Sequence, residues 1–205
     1  MKNIVSIFII ILFPLLISGQ AIKKHSNDSI EEFALRNKPE KAEKISFIKV
    51  AKWNSKEGIF VFYKENFKDE NLTSDNKTYT RLIGNLFIRT PKNNKYKRIL
   101  IDTIHQEGGD PKIEDLFFAN ADNDQYDELI IITSWNQRHY QISGKIYGTF
   151  IYDEWKNLNI DYLIFQEEIS KIVDGGFDGN REGEIVKAKY KNRDEIISKL
   201  KEMTH

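Results

Sequence analysis

Seven short runs rich in aromatic and β-branched residues, spread between residues 45 and 153, place the strongest limit on how this chain can fold. Such residues favour β-strands, and the segments between the runs are rich in Gly, Asn, Asp and Pro, which favour turns. Because most joins are short and no long helical pattern interrupts the series, neighbouring strands are expected to pair antiparallel. The pattern therefore predicts a mainly β (α+β) antiparallel meander, with these strands: ISFIKVAKW, GIFVFYK, YTRLIGNLFIRT, YKRILIDTI, IEDLFFA, ELIIITSW and KIYGTFIYD.

Capping signals predict a short helix near the N-terminus and another helix at the C-terminus. In SIEEFALRN, Ser29 and Glu32 match a capping box, in which each side chain accepts a hydrogen bond from the other residue's backbone N–H. In NRDEIISKLKEM, Asn192 is the predicted N-cap. Ile197 and Leu200 belong to the apolar stripe of this second helix, and we expect both to face the core.

The first 21 residues, MKNIVSIFIIILFPLLISGQA, have the pattern of a secretory signal peptide. Lys2 supplies the positive charge, residues 4–17 form an apolar stretch of 14 residues, and small residues at 18, 19 and 21 permit cleavage. A spanning helix needs about 20 apolar residues, so an uncleaved anchor is only the alternative. We therefore expect a signal peptide at 1–21, one β-rich domain with a C-terminal helix at 22–205, and no membrane span after cleavage.

The chain contains no cysteine, and its 31 basic residues balance its 31 acidic residues. Without cysteine, no lipidated residue can follow the signal, and neither a disulfide nor a zinc–thiolate site can form. The balanced charge offers no basic field that would hold nucleic acid. These features predict a periplasmic or secreted, soluble protein that is not a lipoprotein and does not bind nucleic acid.

The segment NADNDQYDELIII is the main candidate for a ligand site, because oxygen-bearing side chains alternate along it. Alternate positions of a tight loop can point toward one centre, and calcium takes about six to eight oxygen ligands in flexible geometry. The predicted cofactor is calcium, and the predicted metal ligands are Asn120, Asp122, Asp124, the backbone carbonyl of Tyr126, and Glu128. The alternative is an Asx-rich turn between two strands, with solvated carboxylates.

This segment resembles the calcium loop of FG-GAP and VCBS-type repeats, which form the blades of integrin-like β-propellers. The resemblance rests on Asn120, Asp122, Asp124 and Glu128, which are followed by a leucine and a β run. Asn120 stands where those loops have aspartate, and Gln125 stands where they have the glycine that permits a sharp turn. Because the sequence contains one such loop, the resemblance implies a blade-like hairpin or a small, degenerate propeller-like sheet.

Two longer segments are similar to a group of uncharacterised exported bacterial proteins. They are EGGDPKIEDLFFANADNDQYDELIIITSWNQRHYQISGKIYGTFIYD and DGNREGEIVKAKYKNRDEIISKLKEM. This resemblance implies an exported β protein, and it implies no activity.

The segment SWNQRHYQISG directly follows the calcium-loop strand and predicts a binding surface formed by Trp135, Arg138, His139 and Tyr140. Trp, Tyr and Arg dominate the hot spots of protein interfaces. The alternative is a strand end whose aromatic side chains close the core.

No catalytic signature accompanies these segments. The sequence has neither Gly-x-Ser-x-Gly nor His-Glu-x-x-His, and we assign no catalytic residue. The sequence therefore predicts an exported binding protein of the cell envelope, stabilised by calcium, whose partner is a protein or a saccharide. Two alternatives stay open: a hydrolase of envelope polymers that uses unassigned carboxylates, and a structural envelope component without a discrete ligand.

Cleavage of the signal tests the prediction of export. Protein isolated from the native host should begin at Gln20 or Ile22, because cleavage is expected after the small residues at positions 19 and 21. Intact-mass analysis measures which residues are missing. Protein that retains Met1 to Ala21 would show that this segment is not a cleaved signal.

Overall fold

The structure is a computed structural model that describes residues 22–68, 78–90, 95–153 and 159–203. The predicted signal peptide lies outside these residues. The described part of the chain contains ten β-strands and three α-helices. In chain order they are β1 (Ile22–Lys23), α1 (Ile30–Arg36), β2 (Lys44–Trp53), β3 (Lys56–Lys68), β4 (Thr78–Arg89), β5 (Lys95–His105), β6 (Pro111–Ala119), β7 (Glu128–His139), β8 (Ile142–Tyr152), α2 (Glu167–Ile172), β9 (Gly176–Arg181), β10 (Glu184–Val186) and α3 (Arg193–Met203).

Five strands form the first sheet, in the spatial order β1-β5-β4-β3-β2, and all neighbours are antiparallel. Strands β2 and β3 are joined by the two-residue turn of Asn54 and Ser55. Both residues have positive φ angles, 46° and 69°. A two-residue turn of this kind matches the right-handed twist of the paired strands, so it closes the hairpin tightly.

Five further strands form the second sheet, in the order β10-β9-β8-β7-β6, again with antiparallel neighbours. Strands β7 and β8 are joined by Tyr140 and Gln141. Their pairing begins with His139 opposite Ile142 and continues without a break to the pair Leu129 and Tyr152. The start of β7 and the end of β8 therefore lie side by side.

The two sheets enclose the main hydrophobic core. Phe60 and Leu86 of the first sheet and Leu129 of the second belong to this core and are fully buried. Across the two sheets, Trp53 stacks on Phe118, with ring centroids 5.7 Å apart and an interplanar angle of 17°. Burial of such side chains is the dominant favourable contribution to folding.

Helices cover the outer faces of both sheets. Phe33 and Ala34 of α1 are fully buried in a cluster on the first sheet. Ile196 and Leu200 of α3 are buried in a cluster on the second sheet, and Ile197, which we expected to be buried, is partly buried beside them. Since both faces are covered, β3 and β7 are near-continuous apolar runs rather than alternating ones.

The predicted mainly β fold, the antiparallel meander and the helix near each end are confirmed. Each of the seven predicted runs forms a strand, and β2–β5 of the first sheet and β6–β10 of the second are antiparallel meanders. The predicted caps also form, because Glu32 N–H donates to Ser29 Oγ and Glu195 N–H donates to Asn192 Oδ1, both at 3.1 Å. Within the described residues, no helix is both long enough and apolar enough to cross a membrane.

Truncation of Leu200 tests how much α3 stabilises the fold. Leu200 is 2% exposed, so Leu200→Ala should lower the free energy of unfolding by about 2–5 kcal/mol. Met203→Ala is the matched control on the same helix, because Met203 is 38% exposed and its truncation should cost less than about 1 kcal/mol. Urea denaturation measures both values. Equal losses would show that α3 does not contribute as a core element.

Candidate metal centre

The loop between β6 and β7 is shaped by its own side chains. Asn120 Oδ1 accepts a hydrogen bond from Asn123 N–H at 2.7 Å. Asp122 Oδ1 accepts from Asp124 N–H at 3.1 Å, and Asp124 Oδ1 accepts from Tyr126 N–H at 2.6 Å. These are Asx-type turns, in which a short polar side chain replaces a backbone acceptor. The loop therefore has the Asx-rich character that was the alternative to a metal site, and its own hydrogen bonds account for its shape.

The left-handed residue of this loop is Asn123 rather than Gln125. Asn123 has a φ of 66°, and Gln125 is not among the residues with positive φ in the described chain. Asparagine adopts the left-handed region more readily than most residues. The lack of glycine at position 125 therefore does not strain the loop.

Glu128 begins β7 and is fully buried. Its Oε2 atom accepts a hydrogen bond from Ala121 N–H at 2.5 Å, whereas its Oε1 atom is buried without any hydrogen-bond partner. An unsatisfied buried polar atom costs roughly 1–3 kcal/mol, and more when the group is charged. This unpartnered oxygen is an observation, independent of the loop's own turns, that points to a ligand of the Glu128 carboxylate.

Asp153, which directly follows the neighbouring strand β8, adds a third carboxylate. Leu129 pairs with Tyr152, so the next position along the hairpin puts Asp153 beside Glu128. One carboxylate oxygen from each of Asp122, Glu128 and Asp153 can be chosen so that all three lie within 4.8 Å of one another. Oxygens on opposite sides of a calcium ion, each about 2.4 Å away, are about 4.8 Å apart. The three carboxylates are therefore close enough to share one ion.

The pKa of Glu128 is raised to about 7, mainly by burial of its carboxyl group. The negative charges of Asp122, Asp124 and Asp153 contribute to this rise, and the hydrogen bond from Ala121 N–H opposes it. Burial removes water from the charged Glu128 carboxylate, and the neighbouring carboxylates repel it, so both make its ionised form less favourable. A divalent cation among these carboxylates would offset both.

The structure brings together two of the predicted ligands, Asp122 and Glu128. Asp124 acts electrostatically on Glu128 but is not part of the three-carboxylate group. Asn120 is engaged in the loop's own hydrogen bonds, and Tyr126 is 41% exposed, with its N–H donated to Asp124.

Asp153 is the site residue that sequence reasoning missed. It lies 25 positions after Glu128, outside the loop. The signal that could have found it is the hairpin register, because a two-residue turn at Tyr140 and Gln141 places residues 128 and 153 opposite each other.

A turn of the first sheet also contacts this loop. Asn54 Nδ2 donates to the carbonyl oxygen of Asp127 at 3.0 Å, and Asp127 N–H donates to Asn54 Oδ1 at 3.1 Å. Trp53 Nε1 donates to the same carbonyl at 2.5 Å. The loop is therefore held by residues of both sheets.

The predicted binding surface divides into a buried part and an exposed part. Trp135 is 4% exposed and donates its indole N–H to the carbonyl oxygen of His105 at 2.8 Å. Trp135 therefore closes the core, as the alternative to a binding surface predicted, because its side chain lies on the inner face of β7. Arg138, His139 and Tyr140 are exposed at the far end of β7, and Tyr140 is 100% exposed.

A cavity of about 330 Å³ lies at the tips of the β7–β8 and β9–β10 hairpins. The two tips are joined by a hydrogen bond from Glu182 N–H to the carbonyl oxygen of Gln141 at 2.8 Å. The cavity is lined by His139, Tyr140, Gln141, Ile142, Ser143, Asn180, Glu182 and Gly183. Most of these side chains are polar, so the cavity offers hydrogen-bonding groups around one exposed aromatic ring.

No protein-family profile, no curated protein and no solved structure matches this chain significantly. Similarity therefore assigns no family and no activity to it.

The raised pKa of Glu128 predicts how stability depends on pH when no cation is present. An unperturbed Glu has a pKa of 4.5, and the folded value is about 7, so between these values the folded protein holds a proton that the unfolded chain has lost. The contribution of Glu128 to the free energy of unfolding should thus be fully present below about pH 4.5 and should be lost as the pH rises through about 7. The rise in the Glu128 pKa from 4.5 to about 7 corresponds to a loss of unfolding free energy on the order of 3 kcal/mol. Urea denaturation in chelator, at about pH 5 and about pH 8, measures the change.

Glu128→Gln is the matched control for this pH dependence, since glutamine has a similar shape and carries no charge. The variant should show a much smaller loss of stability between the two pH values. An equal loss in wild type and variant would mean that another group causes it.

Proposed function

We propose that this protein binds calcium through Asp122, Glu128 and Asp153, and that it is an exported binding protein of the cell envelope whose fold the ion stabilises. One observation carries the proposal. Glu128 Oε1 is buried and lacks a hydrogen-bond partner, and the Glu128 carboxylate lies close to two further carboxylates, those of Asp122 and Asp153. A divalent cation would give this carboxylate a partner and would offset the repulsion among the three negative groups.

The donor set favours calcium over zinc or magnesium. All members of the three-carboxylate group offer hard oxygen atoms, whereas zinc prefers nitrogen and sulfur ligands. Magnesium demands near-octahedral geometry at about 2.1 Å and gives up its water reluctantly, which disfavours a site with a fully buried ligand. Water would complete the coordination.

We expect weak affinity, in the micromolar to millimolar range. Asn120 carries no charge, and Asp124 is engaged within the loop. Export would place the site in roughly millimolar calcium, the range of weak extracellular calcium modules. With a Kd of about 100 μM, 1 mM calcium would stabilise the fold by about 1.4 kcal/mol.

The exposed hairpin tip supports a role in binding. Tyr140 presents its whole ring to solvent, and Arg138 and His139 lie beside it in sequence. Gln141 and Asn180 add amide groups at the rim of the adjoining cavity. A protein or a saccharide of the envelope suits this combination, because aromatic rings supply contact area and amides supply directional hydrogen bonds.

A hydrolase of envelope polymers receives less support from the geometry. Glu128 has the raised pKa that a general acid needs, but its side chain is fully buried. A polymer therefore cannot reach it unless the loop opens.

Thermal melts in calcium and in chelator test the calcium site. Wild type should melt a few degrees higher in about 5 mM calcium than in chelator, since the ion binds only the folded chain. Asp153→Asn should lose this gain, because it removes one ligand charge with little change in shape. Asp153 lies outside the loop, so its effect separates a three-carboxylate site from a site made by the loop alone.

Asp127→Asn is the matched control. It makes the same change of charge within the loop, and Asp127 is not part of the three-carboxylate group. It should keep the calcium-dependent gain. Identical melting temperatures of wild type in calcium and chelator would contradict the calcium site, and equal losses in both variants would mean that overall charge controls the response.

A further inference from the structure

The β2–β3 turn reaches from the first sheet to the residue that precedes Glu128. Its Asn54 side chain forms two hydrogen bonds with the backbone of Asp127, one as donor at 3.0 Å and one as acceptor at 3.1 Å. The Asn54 amide thus pairs with both the N–H and the carbonyl group of Asp127, as the backbone of a residue in a neighbouring strand would. Asp127 directly precedes Glu128 in the chain. The position of the Asp127 backbone therefore helps to set where the Glu128 carboxylate lies.

The turn is well suited to hold Asp127 in place. Asn54 and Ser55 have left-handed backbone conformations, which define a tight two-residue turn. Trp53 is fully buried, stacks on Phe118 and donates its indole N–H to the same Asp127 carbonyl. Asp127 is therefore tied both to the Asn54 side chain of the turn and to Trp53, a fully buried residue of the core.

We propose that Asn54 is a positioning residue of the calcium site, so that calcium binding on the second sheet is coupled to docking of the β2–β3 turn of the first. This inference rests on the proposed calcium site. Asn54 acts through the Asp127 backbone rather than by contact with the ion. The coupling is reciprocal: a docked turn favours calcium binding, and bound calcium favours the docked turn to the same extent.

Preorganisation is the physical basis of the coupling. A loop that is already held in its binding geometry does not have to be ordered when the ion binds, so less binding free energy is lost. Removing the Asn54 side chain leaves Asp127 with fewer constraints. The Kd for calcium should then rise about fivefold or more, the lower end of typical coupling between sites.

Asn54→Gly is the variant that tests this inference. Glycine adopts the positive φ of this position without strain, so the turn can persist while both hydrogen bonds are lost. Ser55→Gly is the matched control, because it places the same residue at the adjacent left-handed position and leaves Asn54 intact. Calorimetric titration with calcium chloride should give a Kd about fivefold or more higher for Asn54→Gly, and a Kd within about twofold of wild type for Ser55→Gly.

Asn54→Asp separates positioning from a purely electrostatic effect, because the two predict opposite changes in the Kd for calcium. The added negative charge alone would strengthen calcium binding. The aspartate, however, can no longer donate to the Asp127 carbonyl and would bring a carboxylate against it. Positioning therefore predicts a higher Kd for this variant, and a lower Kd would overturn the inference.

Hydrogen exchange of the Asp127 amide reports the contact directly, because this N–H is donated to Asn54. Calcium should slow its exchange in wild type and in Ser55→Gly, and should slow it much less in Asn54→Gly. This readout separates loss of positioning from a general loss of stability, which would speed exchange with and without calcium alike.

The outcomes distinguish the two proposals. If wild type takes up no calcium, the calcium site fails and the coupling fails with it. If wild type binds calcium while Asn54→Gly and Ser55→Gly bind it equally well, the calcium site stands and the coupling is overturned.

Discussion

Burial of β7 on both faces is the constraint on which the rest of the structure depends. Its residues from Glu128 to Trp135 are all buried, with Leu129 in the core between the sheets and Ile130 in the cluster beneath α3. The strand therefore joins the two main apolar clusters of the second sheet. The same burial takes the Glu128 carboxylate out of water, so a strand that stabilises the fold begins with a group that destabilises it when ionised.

The proposed metal centre and the proposed binding surface lie at opposite ends of β7. The strand spans 12 residues, from Glu128 to His139, which corresponds to roughly 35–40 Å. A calcium ion at the first end would not touch a partner bound at the other. Its contribution to binding would come through the stability of the β7–β8 hairpin and through its attachment to the first sheet at Asn54. Calcium would in that case support recognition without taking part in the contact.

Most of the fold could be predicted from the sequence because its signals are local. Ser29 and Asn192 act on backbone groups within three residues, so their caps form as expected. The apolar runs of β3 and β7 mark strands wherever they pack. Trp135 is different, because the run around it predicts a strand but not which way its side chain points. The side chain points inward because its face of β7 meets the other sheet.

The sequence by itself determined the strands, the end helices and a loop whose acidic side chains repel one another. Only the tertiary structure decided that Asp153 lies beside Glu128, that one Glu128 oxygen is buried without a partner, and that Asn54 of the other sheet holds the loop. The physical reason is distance along the chain. Asp153 and Asn54 are 25 and 74 positions from Glu128, and strand register and the packing of two sheets bring such residues together.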